Sequence, residues 1–214
     1  MKAAKLVRDA QHAGSWYTDD PEKLDQELTG YLGEAKQTVP EGATLKALIG
    51  PHAGFRYSGP TAAWAYKNIA HPERYKRVLL LGPSHKVYLD FVATTACDEW
   101  ATPLGNLGID SEAVERLVQS EGGLFQRIAK KHEENEHSLE MHAPFIRKVF
   151  AGREDLLLLP LMVGQLSAEK LEACARVLAP FLADAETLVV VSSDFCHWGA
   201  RFDFTLRFGD DEGR

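Results

Sequence analysis

The chain has 214 residues, with 24 Lys and Arg against 31 Asp and Glu and a formal net charge of -7. The basic residues are scattered, so no partner chosen by electrostatics, such as a nucleic-acid backbone or an anionic lipid surface, is expected. No apolar run approaches the roughly 20 residues that a membrane span needs, and Arg8, Asp9 and Gln11 stand where a secretory signal requires an apolar core.

In chain order, Pro21 to Lys36 carries Leu24, Leu28 and Leu32 at helical spacing and predicts a surface helix. Leu45 to Gly50 predicts a strand, PHAGFRYSGP a Gly/Pro-rich loop, and Thr61 to Ile69 a helix. Strands are expected at Arg77 to Gly82 and Phe91 to Ala96. A helix around Asp110 to Glu121 follows, capped by Asp110 or Ser111, with Val114, Leu117 and Val118 as its buried stripe. The charge-dense stretch Ala129 to Glu136 reads as solvated. The helical pattern from Glu140 to Phe150 truly starts near Pro144. Leu156 to Val163 reads as a strand, Ser167 to Leu182 as an amphipathic helix capped by Ser167, and Thr187 to Ser193 as the last strong strand. Arg201 to Phe208 alternates strictly and predicts an edge strand, with Phe202, Phe204, Leu206 and Phe208 on one side.

Strands alternating with helices point to an α/β fold, a central mostly parallel sheet flanked by helices, within a single domain over 1–214. Cys97, Cys174 and Cys196 lack C-x-x-C spacing, which suits free thiols in a reducing compartment and predicts a cytoplasmic protein.

Three apolar runs end within a few residues of a histidine: LKALIG before His52, RVLLLG before His85, and TLVVVSS before Asp194, Cys196 and His197. Ligands of open α/β sheets bind outside the carboxyl ends of the strands, so these imidazoles form a candidate metal or acid/base site. His52 and His85 are the candidate metal ligands, each behind a strand and a stiffening proline; a lone strand-end histidine would instead bond loop carbonyls. In SSDFCHW, His197 is the candidate catalytic base or substrate contact, although a Ser/Asp cap with aromatic packing of Phe195 and Trp198 also accounts for the motif. EHSLEMH does not match the zinc-protease pattern. His137 and Glu140 can share a face as polar groups behind the ligands, but a capped, solvated helix start accounts for them as well. HAGSWY combines a glycine hinge with Trp16 and Tyr17, residues that line pockets or simply pack.

Together HAGSWY, IGPHAGFRYSG, LGPSHK, TPLG, EHSLEMHAPF and VSSDFCHWG resemble the Memo family, in order from about Gln11 to Phe202. The resemblance implies a fold like that of class III extradiol non-haem iron dioxygenases. It implies a cytosolic protein of cell motility and receptor signalling whose pocket holds iron or copper for redox chemistry, making the chain a possible metal-dependent oxidoreductase. Its alternative is a non-catalytic adaptor that binds phosphotyrosine-containing peptides or receptor tails in the same crevice, with Arg56, His52 and His197 as donors. The family's metal-binding histidines fall on His52 and His85, its pocket histidine on His197 and its pocket tryptophan on Trp16. Asp194 and Cys196 lie in the matched pocket motif. The resemblance also implies a third ligand, a cysteine from a segment beyond these residues, so a C-terminally truncated family domain with weakened ion binding is expected.

Overall fold

Runs of Leu, Val and Ile bounded by Gly, Pro or Ser suit strands buried on both faces, and they form the centre of this molecule. The computed structural model describes residues 4–40 and 42–207. Strand β1 (Val7–Arg8) precedes helix α1 (Pro21–Glu34), and β2 (Ala47–Gly50) leads into α2 (Phe55–Tyr66). Then come β3 (Arg77–Pro83), β4 (Val92–Thr94), β5 (Glu99–Trp100), β6 (Leu107–Ile109) and α3 (Ser111–Val118). The order continues with β7 (Phe125–Arg127), α4 (Lys130–Asn135), α5 (Ala143–Val149), β8 (Leu157–Val163), α6 (Ala168–Ala183) and β9 (Thr187–Ser192).

The described strands form one sheet in the order β1-β5-β6-β8-β3-β9-β2, with β4 joined to β8 and β7. Pairing is parallel except between β5 and β6 and between β4 and β8. This is the mostly parallel, helix-flanked sheet expected from the alternation of elements. Val78, Leu79 and Leu80 of β3, Leu159 and Leu161 of β8, and Leu188 and Val190 of β9 are fully buried. Each such side chain contributes roughly 1.5–3 kcal/mol of transfer free energy.

The helix signals act as read. Asp110 accepts from the Ala113 N–H and Ser167 from the Lys170 N–H, each satisfying a donor that the first helical turn leaves free. Helices α1, α2 and α5 pack against one another. No helix among the described residues is long and apolar enough to cross a membrane.

Three expectations are corrected. Helix α2 starts at Phe55 rather than Thr61, so most of the segment read as a loop is helical and encloses Gly59 and Pro60. Packing overrides the local penalty, because a Cβ at Gly59 would lie 2.5 Å from Tyr31 Cε2 and the glycine is what lets α1 approach. The stretch read as solvated contains Glu133 and Glu136, both buried. The buried guanidinium of Arg8 donates to the carbonyls of Glu133 and Glu136 and to the Glu140 carboxylate, supplying the partners that water would otherwise provide. Finally, Ala200–Phe202 is a 3-10 turn and not an edge strand. The Gly199 N–H donates to the Phe204 carbonyl at 2.6 Å and closes a tight loop in place of sheet pairing; Phe208 lies outside the described residues.

Candidate metal centre

Strands β3, β9 and β2 are neighbours and run parallel, so their carboxyl ends open on one crevice. His52, His85 and Asp194 each lie two residues beyond one of these ends. The ring centroids of His52 and His85 are 5.2 Å apart.

A third imidazole joins them. His137 lies 5.5 Å from His52 and 4.6 Å from His85 between centroids, and one nitrogen from each of the three rings falls within 4.8 Å of the others. It reaches the crevice because its neighbour Ser138 is fastened to two strand ends. The Ser138 hydroxyl donates to the Pro83 carbonyl at 2.7 Å, and the Ser192 hydroxyl donates to the Ser138 carbonyl at 2.7 Å. Close approach there needs Gly82, where a Cβ would meet Leu139 Cδ2 at 2.8 Å.

Hydrogen bonds settle the tautomers of two rings. Since the Ser192 hydroxyl gives its proton to Ser138, it accepts from Nδ1 of His52 at 2.7 Å, which leaves the His52 Nε2 lone pair free. That lone pair faces Asp194 Oδ2 at 3.6 Å, an arrangement that calls for a cation or proton between the two acceptors. His85 Nδ1 donates to Glu136 Oε1 at 2.9 Å, freeing its Nε2 likewise. Nδ1 of His137 is buried 3.3 Å from the same carboxylate oxygen, without a formed hydrogen bond.

Glu136 therefore stands behind two of the three rings. Burial pushes its carboxyl up, but hydrogen bonds from the His85 ring and from the backbone of Ser138 and His85 outweigh this and hold it down to about 2. Burial lowers His52 and takes His137 down to about 4. Both rings are thus neutral near neutral pH, the form in which imidazole ligates a metal. Three imidazoles, an orphaned ring nitrogen and a buried anion behind them are a donor set that suits a divalent transition metal.

The surrounding cavity, about 1020 Å³, is also lined by Trp16, Arg56, Tyr57, Asp194, His197, Arg201 and Phe202. Trp16 stacks obliquely on His137 at 4.5 Å, and His197 Nε2 lies 3.5 Å from Asp194 Oδ2. Asp194 also accepts from the His52 N–H at 2.7 Å. Cys196 is exposed and lies outside the lining. The HAGSWY turn is held from below by buried Glu140, which accepts from the His12 N–H, the His12 ring, the Tyr17 hydroxyl and Arg8.

The structure thus brings together His52, His85, Trp16, Asp194 and His197, which the sequence reading had named. That reading gave His137 no more than a polar place behind the ligands and left Glu136 in solvent. The available signal was the concentration of His and Glu in one short segment. A helical-spacing test could not use it, because His137 lies between α4 and the 3-10 turn Glu140–His142.

Fold and crevice define a mixed α/β protein with a histidine-lined cavity at the carboxyl edge of its sheet. The chain belongs to the Memo family: the family model described as Memo-like protein matches residues 8–210. Among its relatives, Protein MEMO1 of Xenopus tropicalis is 42% identical over 206 residues, 96% of this chain and 67% of the relative. Protein MEMO1 of Homo sapiens is 40% identical with the same coverage. The memo-1 homolog of Caenorhabditis elegans is 42% identical over 199 residues, 93% of this chain and 55% of the relative.

Proposed function

We propose that this chain holds an iron or copper ion between His52, His85 and His137 and serves as a metal-dependent redox protein, with cell motility and signalling in the cytoplasm as its setting. The observation that carries the reading is the convergence of three imidazoles with their far sides occupied or backed by Ser192 and Glu136. A bound ion of this kind supplies a one-electron redox change and a Lewis acid. The protein's own part is to keep the rings neutral and oriented, and to shield one side of the site with Trp16. His197, half exposed in the cavity lining with Asp194 Oδ2 3.5 Å from its Nε2, is placed to exchange a proton with the cavity. Anaerobic titration with Fe(II) and Cu(II) tests this: binding should be one to one, and His52→Ala, His85→Ala and His137→Ala should each weaken it at least about tenfold. Unchanged affinity in all three variants would refute the site.

A second reading has its own support. Arg56 and Arg201 line the cavity, and neither forms an ion pair among the described residues. Two unpaired guanidinium groups suit a phosphotyrosine-containing peptide bound without catalysis. Peptide binding that survives a chelator and is lost in Arg56→Ala favours that adaptor role.

A further inference from the structure

Trp16 lies against His137 on the cavity side, and the next residue, Tyr17, points the other way into the core, where it is buried. The Tyr17 hydroxyl donates to Glu140 Oε1 at 2.8 Å. Its ring stacks on Phe55 at 5.2 Å, Phe55 meets Phe145 at 5.2 Å, and Phe145 stacks on Tyr66 at 4.9 Å. Tyr66 is also fully buried, with its hydroxyl 2.8 Å from Nδ1 of His142. Burial holds His142 neutral, down to about 3, and in its Nε2–H tautomer Nδ1 accepts from the Tyr66 hydroxyl. A buried tyrosine needs some hydrogen-bond partner, and an ordinary carbonyl suffices, as Leu45 does for Tyr75. Tyr17 and Tyr66 have bases instead, which is what a phenol requires if it is to lose an electron and a proton together.

We propose that Trp16 and Tyr17 form a relay that carries single oxidising equivalents from the histidine cluster into the buried aromatic core, with the Glu140 carboxylate taking the phenolic proton. The relay rests on the metal reading for its natural oxidant, an iron or copper ion oxidised by peroxide; its path rests on the side chains alone. In the first step the Trp16 indole gives one electron to that oxidant, which is reduced by one, and becomes a radical cation. In the second, Tyr17 returns one electron to the indole while its O–H bond breaks. The proton passes to Glu140 Oε1, leaving neutral Trp16 and a neutral tyrosyl radical. An oxidised phenol is a strong acid, so transfer to a carboxylate already in hydrogen-bond contact is downhill. The effect is to move damage away from His52, His85 and His137, with Tyr66 and His142 next along the same aromatic path.

The test does not depend on a metal. Azide radicals generated by pulse radiolysis oxidise tryptophan in the metal-free chain, and the absorbance of indolyl and tyrosyl radicals is followed. The expected result is a first-order conversion of indolyl to tyrosyl at a rate independent of protein concentration. It should be kept in Tyr88→Phe, which alters an exposed tyrosine outside the Tyr17–Phe55–Phe145–Tyr66 stack, and lost in Trp16→Phe and Tyr17→Phe. The same rate and amplitude in Tyr17→Phe would overturn the relay. In a second arm the Fe(II)-loaded chain is treated with hydrogen peroxide and examined by electron paramagnetic resonance with ring-deuterated tyrosine. Calorimetric Fe(II) binding without a tyrosyl signal overturns the relay and leaves the metal centre standing. No Fe(II) binding with the radiolytic phase intact removes the metal reading and supports the relay as a property of the chain.

Discussion

Glu136→Gln separates the two jobs of the carboxylate behind the cluster. In the native chain its oxygens accept the His85 ring N–H at 2.9 Å, the His85 backbone N–H at 2.6 Å and the Ser138 N–H at 2.9 Å, all at a nearly fully buried position. A glutamine has one accepting oxygen, so its NH2 group must face at least one of these donors. Losing one or two charge-assisted bonds of about 1.5–3 kcal/mol each lowers the stability of the metal-free chain by roughly 3 kcal/mol after partial rearrangement. The His85 and His137 rings also lose the negative charge that makes them better donors, and removing an outer-shell carboxylate of this kind weakens metal affinity about 10–100-fold. Urea unfolding of the metal-free variant reads the first quantity. Calorimetric titration with Fe(II) under conditions where the variant is folded reads the second. A variant destabilised as calculated but with native metal affinity would show that Glu136 serves the loop alone, and the metal-centre reasoning would fail at that point.

Glu133 gives a pH signature. Burial raises its carboxyl to about 7, against the pull of Arg8 and of hydrogen bonds from Thr95 and Cys97. As pH rises from the unfolded value of about 4.5 to about 7, the unfolded chain releases a proton that the folded chain keeps. Stability therefore falls across that window by about 3 kcal/mol and is flat above it. Glu133→Gln should remove this component, gaining on the native chain between about pH 5 and about pH 8 in denaturant titrations; a constant difference between the two would refute it. Gly50→Ala tests the packing beneath His52: the new Cβ would sit 2.9 Å from Cε1 of the buried His142. A loss of about 1–3 kcal/mol is expected by thermal unfolding, and a stability equal to the native chain would mean that His142 is not held against β2.

The strands at the centre of the sheet were legible because a strand buried on both faces must be apolar along its middle, as β3, β8 and β9 are. Caps were legible for a related reason: Asp110 and Ser167 satisfy donors within three residues of themselves, so their role is local. Helix α2 was only half legible, since the need for Gly59 comes from Tyr31, which the local pattern does not contain. The short strands β1, β5, β6 and β7 carry two or three residues each, too few for a period to show.

By itself the sequence determined which residues could serve as strand-end ligands, because buried strand runs mark where the chain must emerge at the edge of a sheet, and His52 and His85 stand there. Only the tertiary structure decided that His137 completes the cluster and that Glu133, Glu136 and Glu140 are buried. Their partners are Arg8, His12, Tyr17, His85 and Thr95, tens to more than a hundred residues away in the chain. A charge-dense segment is solvated when read alone; it becomes interior once a distant guanidinium and imidazole supply the hydrogen bonds that water would have made.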